Sequence, residues 1–144
     1  MDRVSYKLVT SHSELEAAFE VRKQVFVEEQ GISEDLEIDD HEEEALHIVV
    51  KDGERVIGTA RVLFPAASQA KIERMAVLKP YRRQGIGGGI ISFLNEELRS
   101  RQVEQVILHA QYSAIPFYRS CGFEESGSPF WEAGIRHIKM ERQL

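Results

Sequence analysis

Four glycines fall within five residues: Gly85, Gly87, Gly88 and Gly89 surround Ile86. They head a segment in which Ile86, Ile90, Ile91, Leu94 and Leu98 share one helical face. A glycine inside a helix costs roughly 1 kcal/mol relative to alanine, so helix stability did not select this composition. A helix start exposes unpaired backbone N–H groups and the positive end of the dipole, and together these suit a phosphate. Glycine lets such a ligand approach the backbone with no Cβ in the way, and Arg82 and Arg83 add positive charge just ahead of it. The stretch from Gln84 to Gly89 therefore reads as a diphosphate cradle opening a helix that runs to about Arg101.

Hydrophobic periodicity places this helix among alternating elements. Residues 3–9 form a first strand. Ser13 and Glu16 offer a capping box for a helix over about 14–29, with Leu15, Ala18, Phe19, Val25 and Phe26 at helical spacing and Gly31 as its stop. Residues 45–64 read as a hairpin turning at Asp52-Gly53, and residues 70–78 as a further strand. After the glycine helix come a strand over 105–111 and a short helix over 113–122, with Ser113 as cap and Gly122 as terminator. Strands near 123–127 and 135–143 close the chain. The order is β-α-β-β-β-α-β-α-β-β, an α/β (α+β) arrangement in which a mixed sheet is flanked by helices.

With 144 residues, this pattern fits a single domain over 1–144. No apolar run approaches the roughly 20 residues that span a bilayer, and the first ten residues lack the apolar centre of a signal peptide. A cytoplasmic protein is expected, without membrane partners. The net charge of −6 argues against nucleic acid, although eight of the 24 acids lie between Glu34 and Glu44. That run reads as a solvated loop or short helix, or as a surface attracting a cationic acceptor. The single cysteine, Cys121, reads as a small core residue at a helix end; it has no partner for a disulfide and no metal-ligand spacing, so no metal is expected.

Three phosphate-binding patterns compete for the cradle. The P-loop needs Gly-Lys-Ser/Thr at its end, and none follows. The dinucleotide pattern G-x-G-x-x-G begins at Gly85 and Gly87 but meets Ile90 where its third glycine belongs. What remains, Arg82-Arg83-Gln84-Gly85-Ile86-Gly87, resembles the R/Q-x-x-G-x-G/A signature of the GNAT superfamily of N-acetyltransferases. The flanks "IERMAVLKPYRR" and "HAQYSAIPFYRSCGF" match that family at its spacing, and "VRKQVFVEEQG" and "FWEAGIRHIKM" resemble a bacterial branch typified by YjcF.

The resemblance implies the GNAT fold, a mostly antiparallel sheet of about seven strands with about four helices, and transfer of acetyl from acetyl-CoA to a primary amine of a small molecule or peptide. It assigns diphosphate binding to Arg82, Arg83, Gln84, Gly85, Ile86, Gly87, Gly88 and Gly89, and main-chain contacts with pantetheine to Met75 and Val77, with an oxyanion donor near Ala76. Gln111 stands where relatives carry a pantetheine-binding asparagine, and Phe117 and Tyr118 fall beside the coenzyme sulfur. Tyr118 is expected to protonate the leaving thiolate; its alternative is packing against Phe117. The general base is open. Glu73 is one candidate, although histone-type relatives place theirs two residues earlier, where this chain has Lys71; His109 and His137 are others. Glu28, Glu29, Gln30 and Trp131 are the acceptor-side candidates, with core burial the alternative for Trp131. Dimers are frequent among relatives, so a homodimer is compatible with the family. Two other functions compete: a non-catalytic acyl-CoA sensor, and a nucleotide-binding protein, for which both competing motifs fail.

Overall fold

The computed structural model describes residues 3–144. Strand β1 (Val4–Leu8) leads to helix α1 (His12–Arg22), which passes into a π-helical turn over Lys23–Glu29 and then the short α2 (Glu34–Glu37). Three antiparallel strands follow, β2 (Leu46–Asp52), β3 (Arg55–Ala66) and β4 (Gln69–Val77). Helix α3 (Ile86–Ser100), strand β5 (Gln105–Gln111), helix α4 (Ile115–Ser120) and strands β6 (Glu124–Glu132) and β7 (Ile135–Gln143) complete the chain. The seven strands form one sheet in the order β1-β2-β3-β4-β5-β7-β6. Its only parallel pair is β4 with β5, as expected for the two strands that a helix connects.

Helix α3 buries the stripe read from its sequence: Ile86, Ile90, Ile91, Leu94 and Leu98 are each at most 2% exposed. Burying one such side chain contributes roughly 1.5–3 kcal/mol, so this face more than offsets three glycines in the first turn. It lies on the sheet face that carries Tyr6 and Val50, and Tyr6 stacks on Phe93 of the helix. Helix α1 covers the opposite face, where Phe19 meets His47 edge-on and where His47, Arg61 and Glu73 form one cross-strand row.

Three local expectations are corrected. The cap of α1 is Ser11, not Ser13: its hydroxyl accepts from the Glu14 N–H at 3.2 Å, while the Glu14 carboxylate reaches back to the Thr10 N–H at 2.9 Å. The helix expected over 14–29 is α-helical only to Arg22; beyond it the Gln30 N–H bonds to Val25 O, five residues back. Ser113 caps nothing, because a 3₁₀ turn over Tyr112–Ala114 precedes α4 and Pro116 supplies its start.

The acidic run is also more than a solvated loop. Arg22 and Arg61 have side chains only 1% and 2% exposed, and the run neutralises them. Arg22 pairs with Glu37 at 3.1 Å and Glu42 at 2.7 Å; Arg61 pairs with Asp39 at 2.7 Å, Glu42 at 2.9 Å and, from β4, Glu73 at 2.7 Å. Arg74 adds a contact to Glu37 at 2.9 Å. A buried guanidinium without such partners is strongly destabilising. The carboxylates thus pin the loop and α2 over β3 and β4, and the cation-attracting surface reading loses these three acids.

Candidate active site

The parallel pairing of β4 with β5 stops early. It runs from Gln69 opposite Gln105 to Ile72 opposite Leu108, and beyond that point the strands diverge. The cause lies on the other edge of β4. There the register slips so that Arg74 and Met75 together oppose Ala60, and Arg74 takes φ +54°. This is a β-bulge, which bends its strand.

The Leu78 N–H turns back to Ile57 of β3 at 2.9 Å, so the alternation of a strand directs the main-chain groups of Val77 and Met75 into the gap. The Val77 carbonyl does accept a bond from that side, from Arg82 Nε at 2.8 Å. The side expected to hold an added strand is therefore open, although the Ala76 amide itself belongs to the β3 side and the donors facing the gap are its two neighbours.

The gap widens into a cleft of about 890 Å³. At one end sits the mouth of α3. Gly85 is its N-cap at φ +81°, a conformation that L side chains resist, and it supplies no side-chain cap for the first N–H groups. Arg83 at φ +61° makes a second left-handed turn just before it.

The glycines differ in what they face. A Cβ on Gly88 would meet nothing within 4 Å, whereas one on Gly87 would lie 3.1 Å from the Phe117 ring and one on Gly89 2.0 Å from the Tyr6 hydroxyl. Gly85, Ile86, Gly87 and Gly88 line the cleft. Gly89 does not; it leaves room for Tyr6, and its N–H bonds to the Gly85 carbonyl at 3.0 Å. Gln84 also lies outside the lining, with its amide on Pro80 O at 3.2 Å. Arg82 and Arg83 both line the cleft; Arg82 is clamped by Glu29 at 2.7 Å, whereas Arg83 makes no ion pair among the described residues. The residues present fit a diphosphate: bare amides, a left-handed glycine cap and an open space where Cβ atoms are missing.

Further along, Met75, Ala76, Val77, Gln111, Phe117 and Tyr118 line the walls. Gln111 donates to Gln30 Oε1 at 2.8 Å, which joins β5 to the end of the π-helical turn across the opening. Tyr118 packs edge-on against Phe117 and Phe123 with ring centroids 5.0 and 6.0 Å away, as its packing alternative expected, and it also lines the cleft. Burial pushes its phenol up to about 12, aided by the nearby Cys121, and keeps it protonated at neutral pH.

Glu73, His109 and His137 all reach the cleft. Glu73 is tied to Lys71 and Arg61, each at 2.7 Å. Burial alone would raise its carboxyl, yet these two cations outweigh it and hold the group below its ordinary value. Arg74, next to Glu73 in the chain, pairs with Glu37 instead. On the acceptor side Gln30 lines the cleft, whereas Glu28, Glu29 and Trp131 do not. Trp131 is 73% exposed on the edge strand β6, so its core-burial alternative is overturned. Sequence reasoning gave no role to Glu132, which lines the cleft together with Lys71, Leu36 and Glu37. For Glu132 the available signal was its place one residue after the singled-out Trp131, at the end of a strand that pairs with the one holding His137.

Comparison with known proteins decides the family, because the profile described as an acetyltransferase (GNAT) domain matches residues 9–144. The chain belongs to the GNAT acetyltransferase family. It is an acyltransferase by that membership, and the donor used by the family is acetyl-CoA. The Bacillus subtilis protein YjcF, an uncharacterized N-acetyltransferase, is 39% identical over 134 residues, which covers 92% of this chain and 95% of YjcF. The Escherichia coli ElaA crystal structure superposes with a TM-score of 0.86 at 26% identity, covering 96% of this chain and 99% of ElaA. A GNAT family acetyltransferase from Elizabethkingia anophelis, solved with acetyl-CoA bound, shares the fold with a TM-score of 0.79 at 15% identity over all of both chains. The mostly antiparallel seven-stranded sheet with four helices is the arrangement the sequence resemblance implied. Among the described residues no helix is long and apolar enough to cross a membrane.

Proposed function

We propose that this protein transfers acetyl directly from acetyl-CoA to a primary amine of a small molecule or peptide. The observation that carries this reading is the open seam: β4 and β5 part after Ile72 and Leu108, and the uncapped mouth of α3 lies at the end of the gap. The amides at Ile86 to Gly88 would hold the diphosphate, with Arg83 as the charged partner. Main-chain groups of Met75 and Val77 would pair with pantetheine as an added strand does, and one of these amides would face the developing oxyanion.

In the reaction the amine nitrogen bonds to the carbonyl carbon and the carbon–sulfur bond breaks. Tyr118, a phenol protonated at neutral pH, gives its proton to the departing sulfur. Isothermal titration with acetyl-CoA, followed by thiol release measured over polyamines, amino acids, aminoglycosides and peptide N-termini, tests the function. Tight binding with acceptor-dependent thiol release is the expected result, and no release with any amine would refute it.

A second reading, a non-catalytic acyl-CoA sensor, is favoured by one observation: Glu73, the carboxylate that follows the last residue of β4 paired with β5, is neutralised by Lys71 and Arg61. Tyr118→Phe separates the two. An enzyme loses kcat by about 10-fold or more and keeps its affinity for acetyl-CoA, whereas a sensor shows no turnover in either form.

A further inference from the structure

An amine at neutral pH arrives as an ammonium ion and must lose a proton before it can attack. Glu73 is poorly placed to take it, since two cations already hold its oxygens. Glu37, the next carboxylate in the cleft, is 2% exposed and committed to Arg22 and Arg74. Glu132 is the remaining lining carboxylate, and neither lysine nor arginine lies within ion-pair distance of it among the described residues.

Two imidazoles bracket Glu132. His109 Nδ1 lies 3.4 Å from Glu132 Oε1, and His137 Nε2 lies 3.7 Å from Oε2. Phe130 stands edge-on to His109 at 4.9 Å and stacked on His137 at 5.9 Å, which restricts both rings. The two histidines have different chemistry. His137 is 7% exposed and donates from Nδ1 to the Ile135 carbonyl at 2.8 Å, so that nitrogen is committed within its own strand. His109 is more open, with a side chain 29% exposed. A carboxylate only accepts, so the atom it faces on His109 must carry the hydrogen. The ring is thereby held in the Nδ1–H form, with Nε2 left as a lone pair.

The other charged groups on this side are Lys71, whose field reaches Glu132, and Lys139, which lies opposite His109 in the β5–β7 ladder. Glu132 is held below the ordinary carboxylate value, first by its hydrogen bond with His109 and against the effect of its own burial.

We propose that His109 Nε2 is the proton acceptor for the incoming ammonium group, and that Glu132 is the positioning residue that sets its tautomer. This rests on the transferase reading above. The amine nitrogen gives up two protons over the reaction. One passes through His109 to water, and the second replaces, through solvent, the proton that Tyr118 gives to sulfur. Acceptor amines therefore approach the Nε2 side of His109, opposite the nitrogen that faces Glu132, and cationic acceptors are drawn by Glu132, the lining carboxylate without a lysine or arginine partner among the described residues.

The test has two independent readouts. Long-range ¹H–¹⁵N spectra of the imidazoles, taken above neutral pH on the full protein with no acceptor, should show His109 as the Nδ1–H tautomer in the wild type and a shift toward Nε2–H in Glu132→Ala. An Nε2–H ring in the wild type, or a ring unchanged by the substitution, overturns the positioning role and leaves the transferase reading standing. With any amine that turns over, His109→Ala should lose kcat by about 100-fold or more and Glu132→Ala by about 10-fold or more. Acetyl-CoA affinity should stay within about twofold in both, which also shows that the variants are folded. His109→Ala with near wild-type kcat overturns the dyad; no turnover by the wild type with any amine overturns the transferase reading and the chemical role of the dyad with it.

Discussion

Alanine at position 88 separates what the glycines do for the fold from what they do for a ligand. Gly88 is the third residue of α3, and an ideal Cβ there meets nothing within 4 Å. Gly→Ala at an unstrained helical position stabilises a protein by about 0.4–1 kcal/mol, largely by narrowing the unfolded ensemble. For a chain of this size that is a rise in Tm of roughly 1–3 °C. The same methyl enters the space through which a diphosphate would approach the first N–H groups, so acetyl-CoA affinity should fall by at least about tenfold, or about 1.4 kcal/mol. Its neighbours behave differently. Gly89→Ala sets a Cβ 2.0 Å from the Tyr6 hydroxyl and should destabilise by about 1–3 kcal/mol through displacement of that ring. Gly85→Ala must hold φ +81° and should cost about 1–2 kcal/mol. Thermal melts and isothermal titration with acetyl-CoA on the three variants give the comparison. A Gly88→Ala protein that is stabilised and still binds acetyl-CoA within twofold of wild type refutes the cradle.

Other consequences follow from the charge web and the phenol. Arg61→Ala takes their shared buried cation from Asp39, Glu42 and Glu73 and should lower stability by about 3–5 kcal/mol in urea melts; a loss below about 1 kcal/mol would show that Arg22, Lys71 and Arg74 suffice to hold the three acids. Asp39, Glu42 and Glu73 are all held below their ordinary values in the folded protein. The unfolded chain, with carboxyls near 4, binds more protons there. Their stabilisation is thus complete above about pH 5 and declines as the pH falls below 4, which acid titration followed by circular dichroism measures; a stability flat down to pH 3 would contradict it. Tyr118→Phe, as above, should reduce kcat and spare acetyl-CoA affinity.

The features legible in the sequence were those written in short-range pattern. The stripe of α3 and the glycine cap depend on residues a few positions apart, and each stands where its spacing placed it, whereas the hairpin expected to turn at Asp52-Gly53 turns one residue later, at Gly53-Glu54, because Asp52 still pairs with Arg55. What escaped depends on distant partners. Nothing near Gly89 announces Tyr6, and nothing near Arg82 announces Glu29, 53 residues earlier. The π-helical turn inserts an extra residue into a helix whose local pattern reads as regular, and two serines two positions apart are equal candidates for a cap until one finds its amide. Glu132 was missed for a similar reason: its relation to His109 spans 23 residues and exists only once β6 has folded back beside β7.

The early end of the β4–β5 ladder has a mechanical consequence. Only four residue pairs, Gln69–Ile72 against Gln105–Leu108, stitch the leading sheet β1–β4 to the trailing β5–β7–β6 half. A guest lodged in the seam would serve as a removable rung, stiffening the molecule while present and loosening it on departure. Amide hydrogens of Met75 and Val77 should then exchange fastest in the empty protein and slow on loading, a change in rigidity that accompanies each turnover.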